Sequence, residues 1–95
     1  MKSFAEVFDK VLEYIHQKVL NNELTKVAYD MWLKSMIPDR LDGNVAYIKV
    51  QSSFQKEIIL KNYSELLKEA FMHVMGFEVE IVIVPDEHSD ENDYK

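Results

Sequence analysis

The sequence predicts a small α+β domain, and three observations carry that prediction. Apolar residues recur at helical spacing over 4–20 and again over 53–75. Asp42-Gly43-Asn44 precedes a run rich in β-forming residues, 45–50. The segment 77–84 first alternates apolar with acidic residues and then turns apolar on both faces. The order that follows is helix, helix, strand, strand, helix, helix, strand.

The first helix opens on a capping box. The Ser3 oxygen can accept from the amide of residue 6, while Glu6 reaches back to the Ser3 amide. Phe4, Phe8, Val11, Leu12, Ile15 and Val19 then form one stripe, with Val7 and Tyr14 on its flanks, and Asn21-Asn22 ends the helix near residue 20. A shorter helix is expected over 24–35, with Leu24, Val27, Ala28, Met31 and Trp32 on the inner face. Ile37-Pro38 stops it, because proline disfavours helix in the residue before it.

Residues 39–50 read as a hairpin whose second strand is the better defined. Ser52 caps the next helix, and Gln55 is placed to complete a second capping box with it. Asn62 with Glu65 suggests a further cap, so 53–75 reads as two helices bent near Asn62-Tyr63. Gly76 suits the closing C-cap. The strand over 77–84 ends at Pro85. Residues 86–95 form an acidic tail expected to be disordered, leaving 1–85 as the domain.

Composition narrows the function. The chain has 95 residues and no cysteine, so disulfides and thiolate metal sites are excluded. Of the net charge of −6, the eleven residues from Pro85 onward carry −4, with five acids against Lys95. The rest is close to balanced, which is not the basic footprint of a strong nucleic-acid binder. No apolar run approaches the roughly 20 residues that span a bilayer, and the opening residues, broken by Glu6, Asp9 and Lys10, form no signal peptide. A cytoplasmic protein is expected.

Catalytic and cofactor chemistry find no foothold in the sequence. His16, His73 and His88 fall on three separate elements, without the spacing of metal ligands. Two glycines, Gly43 and Gly76, cannot build a phosphate-binding loop or a GxxG clamp. Glu78 and Glu80 read as the solvent side of a strand. The expectation is therefore no enzyme, no cofactor and no metal. Of the aromatics, Tyr29, Trp32, Tyr63 and Phe71 sit at core spacing, and Phe8 lies centrally in its stripe, which favours core. Phe54, in the first turn of a helix, admits a core or a surface reading.

Several segments together resemble a known family. They are FAEVFDKVL from Phe4, YDMWLK from Tyr29, Leu41-Asp42-Gly43-Asn44, FQKEII from Phe54 leading to Tyr63, and EIVIVP from Glu80. In order and spacing they are similar to the N-terminal domain of the bacterial replication initiator DnaA, over residues 1 to about 85. The resemblance implies a K-homology-like domain with a three-stranded sheet packed by helices. It implies an assembly platform that self-associates weakly, binds the replicative helicase and binds initiation regulators, with at most weak single-stranded DNA binding. By position, the family's self-association aromatic falls on Phe8, beside Val7. Its helicase and regulator contacts fall on Phe54, on Ser52, and on Ala28, four residues before Trp32. Gln51-Ser52 stands where the family has Pro-Asn, and Ile58 where tryptophan is common. Three roles stand open: a domain of a longer initiator, a free-standing homologue that regulates one, and a weak single-strand binder.

Overall fold

The computed structural model describes residues 3–86. The tail expected to be disordered spans 86–95, of which 87–95 lie outside the described residues; Asp86 is described, and its N–H donates to the Val50 carbonyl at 2.8 Å. Helix α1 (Phe4–Leu20) is followed by a short α2 (Lys26–Ala28), which continues directly into a π-helical turn (Tyr29–Leu33). Strands β1 (Ile37–Asp42) and β2 (Val45–Val50) form the hairpin. Helices α3 (Ser53–Asn62) and α4 (Ser64–Met75) lead to β3 (Glu80–Pro85). The α+β expectation and the element order both hold.

The sheet is mixed, with β2 in the centre. It pairs antiparallel with β1 through the tight turn and parallel with β3, so the α3–α4 pair is the long crossover that parallel pairing requires. Register slips between Pro38 and Arg40, where β1 bulges. The bulge lies beside the proline that cannot donate to the ladder, which is why this strand reads weakly in sequence.

Along β2, Ala46, Ile48 and Val50 turn inward and are buried. They meet Phe8, Val11 and Ile15 of α1, Ile59 of α3, and Leu67, Ala70 and Phe71 of α4 in one core. Phe4, Phe8 and Phe71 form an aromatic cluster inside it, with ring centroids 6.1–6.4 Å apart. The opposite side of β2 carries Tyr47 and Lys49, and the Arg40 guanidinium lies 4.0 Å from the Tyr47 ring centre.

The helix ends follow their caps. In the box at α1, Glu6 N–H donates to Ser3 Oγ at 3.2 Å and Ser3 N–H to Glu6 Oε1 at 3.0 Å. Gly76 takes φ +83° as the C-cap of α4, with no atom within 4 Å of where a Cβ would stand. Gly76→Ala therefore meets only the left-handed backbone penalty. It should cost about 1–2 kcal/mol in urea denaturation, and an unchanged midpoint would show that the cap relaxes freely.

Three sequence expectations are corrected. The second helix starts at Lys26 on a Thr25 cap, and its buried residue is Leu33; Val27 and Met31 are 66 % and 57 % exposed. Apolar residues occupy most of this helix's circumference, so periodicity could not choose the inner face. The α3–α4 break falls at Tyr63 as expected, but Asn62 does not cap α4. Its Nδ2 instead donates to the Ile58 carbonyl at 3.2 Å. The last strand starts at Glu80. Val79 is buried ahead of it, while Phe77 stays 45 % exposed.

Candidate docking patch

Two segments distant in sequence meet at the N-terminus of α3. Ser52 caps this helix, its Oγ accepting from Gln55 N–H at 3.1 Å. The cap fixes the first turn, and Phe54 projects from that turn with 63 % of its surface exposed. Its ring meets the half-buried Trp32 edge-on, with centroids 5.7 Å apart and planes at 67°. Trp32 packs inward against the core, so the exposed ring rests on an anchored one. Ala28 lies half-buried one turn before Trp32 on the same helical segment.

The π turn shapes this segment. Lys34 N–H donates to the Tyr29 carbonyl at 2.8 Å, five residues back rather than four. The wider turn leaves its later carbonyls to other donors, and the Trp32 carbonyl takes the Gln55 amide at 2.9 Å. The Gln55 side chain thus departs from the expected capping box. Its Oε1 accepts from the amide of Gln51, not Ser52, at 2.9 Å. Gln51 stands where the family resemblance has proline. It brings a backbone N–H that proline lacks, and Gln55 satisfies it.

Charge is light around the patch. Lys26 and Asp30 pair at 2.7 Å, and hydrogen bonding from Lys26 holds the Asp30 carboxyl below the usual range. Burial, with a smaller contribution from Asp30, pushes the Tyr29 phenol up. The densest polar cluster lies elsewhere, between α1 and α4. Tyr14 donates to Glu69, and Lys18 bridges Glu69 at 2.9 Å and Glu23 at 3.4 Å. The hydrogen bonds from Tyr14 and then Lys18 lower the Glu69 carboxyl, and Glu69 in turn raises Lys18. The Tyr14 ring lies 4.5 Å from that of His73. These partners close a helix pair and present no unsatisfied group for chemistry. Among the described residues no three His, Cys, Asp or Glu side chains gather as a metal site, and no helix is long and apolar enough to cross a membrane.

The sequence candidates thus divide. Phe54, Ser52 and Ala28 fall in or beside one patch, with Trp32 at its centre. Phe8 lies elsewhere, 1 % exposed between Phe4 and Phe71, and Val7 is half-buried against the core. The inward placement follows from α1 packing its stripe into the core against α4 and the sheet, which encloses the aromatic. Sequence reasoning missed Gln55 as part of the patch. Its signal was a glutamine one turn before Ile59, on the inward side of α3.

Fold and patch together define a small α+β domain with an aromatic ridge, Trp32 and Phe54, on its surface. Residues 5–73 match the family model described as the DnaA N-terminal domain, and the chain belongs to that family. It is also 32 % identical over 68 residues to the chromosomal replication initiator protein DnaA of Synechocystis sp. (strain ATCC 27184 / PCC 6803 / Kazusa). That match covers 72 % of this chain and 15 % of the cyanobacterial protein.

Proposed function

We propose that this chain is a non-enzymatic docking domain of replication initiation, working in the cytoplasm, and that the Trp32–Phe54 ridge receives the replicative helicase or an initiation regulator. The observation that carries this reading is Phe54. A large ring, 63 % exposed, on a capped helical turn is costly to leave in water and ordered in advance for a partner. Val27 and Met31, exposed on the segment that leads to Trp32, add apolar area nearby. Membership of the family supports a role in initiation, and the positional correspondence of Phe54 and Ser52 supports the choice of surface. The net charge of −6 opposes strong phosphate binding, which leaves single-stranded DNA a minor partner at most. Self-association through α1 would use the outer flank near Val7, since the Phe8 ring is enclosed.

Phe54→Ala tests the reading. The fold should keep its stability within about 0.5 kcal/mol, the usual range for exposed positions. Affinity for the cognate helicase, by calorimetric titration, should fall by about 2 kcal/mol, roughly 30-fold. Helicase binding equal to wild type would remove the ridge from the proposed interface.

A further inference from the structure

We propose that Gln55 is a positioning residue for the ridge. It fastens the π turn that carries Trp32 to the helical turn that carries Phe54, and so sets the geometry in which the two rings are offered. The proposal rests on the docking reading above.

Gln55 is the polar side chain buried among the described residues, at 4 % exposure. Both ends of its amide are engaged, with both N–H donors used. Oε1 accepts from Gln51 N–H at 2.9 Å, while Nε2 donates to the Trp32 carbonyl at 2.9 Å and to Ser35 Oγ at 3.1 Å. The orientation is fixed by its partners: the Gln51 amide needs an acceptor and the Trp32 carbonyl needs a donor. Two of the three tethers cross 20 and 23 residues of sequence to the end of the π turn. Phe54 is the residue immediately before it in the chain, so one anchor point determines where both rings stand. The Trp32–Phe54 contact, 5.7 Å between centroids, is the product of that anchoring. An apolar side chain of the same length would fill the volume but leave the turn held only by packing. Ordering the rings would then fall to the binding step, which weakens affinity.

Trp32 is the chain's single tryptophan, so its fluorescence reads this site without a partner. In the 95-residue chain, Gln55→Met should stay folded by circular dichroism, while acrylamide quenching of Trp32 rises about twofold and its anisotropy falls. Affinity for the replicative helicase should drop about tenfold as preorganisation is lost. Ser35→Ala, which removes one tether, should shift the same readouts in the same direction by less, and it serves if Gln55→Met does not fold. Unchanged quenching and anisotropy in a folded variant would overturn the proposal, leaving Gln55 a buried residue without hold on Trp32. A loosened Trp32 with undiminished helicase binding would also overturn it. Failure of the docking reading has its own signature, since Phe54→Ala would then bind helicase normally, and the fluorescence arm would still decide whether Gln55 holds the ring.

Discussion

Phe8→Ala is expected to take the domain to the edge of unfolding. The ring is 1 % exposed and is enclosed by Phe4 and Phe71, at 6.1 and 6.3 Å between centroids. Truncation removes a large apolar surface from a site walled by two other rings, which cannot collapse to fill it. Buried phenylalanines truncated in this way cost about 3–5 kcal/mol. A domain of this size has a total stability of about 5–15 kcal/mol, so the loss is a large share of it. In a domain of 60–100 residues each kcal/mol moves the melting temperature by about 4–8 °C, so the midpoint should fall by at least 12 °C. Thermal melting by circular dichroism is the measurement, with half-buried Phe4→Ala as the milder companion. A wild-type midpoint for Phe8→Ala would mean that the ring lies outside the core. The same result bears on self-association, because any loss seen in this variant would follow from unfolding before it reported on a contact.

The placement of α1 was legible in the sequence because apolar positions fill one side of that helix and charged or polar residues the other, so Phe8, Val11 and Ile15 could face only one way. The capping serines were legible because their bonds run to residues three positions away. So was Gly76, whose left-handed backbone has a local cause. The β2 strand was legible in its β-forming residues, and its alternation of buried and part-exposed positions matches the pleat.

What stayed hidden was decided by distant contacts. Val27 and Met31 were expected on the inner face, yet Leu33 holds it, because a helix apolar nearly all round is oriented by whatever it packs on. The π turn leaves no local sequence signal. The Trp32 carbonyl within it is taken by a donor that Gln55 supplies from 23 residues away. Gln55 itself was legible as a capping-box partner of Ser52, and half of that box exists. The other half is lost to Gln51 and Trp32, which compete for the amide from positions no local pattern could name. Phe54 was open between core and surface for the same reason: its exposure depends on Trp32 lying to one side and nothing described closing over it.

Trp32→Ala should cost about 2–3 kcal/mol, less than the full 3–5 typical of a wholly buried ring. The indole is half-buried and packs on the core along one side, while its other side meets Phe54. Truncation therefore loses part of the transfer term, and the space it leaves opens toward solvent, which limits the cavity term. Its backbone carbonyl remains bonded to Gln55, so the turn keeps its tether and the damage stays local. The measurement is urea denaturation followed by circular dichroism, since the variant has no tryptophan to report. An unchanged midpoint would mean that the indole contributes nothing to the core. The stability effect alone does not distinguish a scaffold from a contact residue, but a double-mutant cycle with Phe54→Ala does. In the free domain the two rings should couple by no more than about 0.5 kcal/mol, the low end for edge-on aromatic pairs, because Phe54 is largely exposed. With helicase present, the two truncations should be strongly non-additive, because removing Trp32 takes away the support on which Phe54 is presented. Additive effects on binding would mean that the rings act independently, and the ridge would then be two separate contacts.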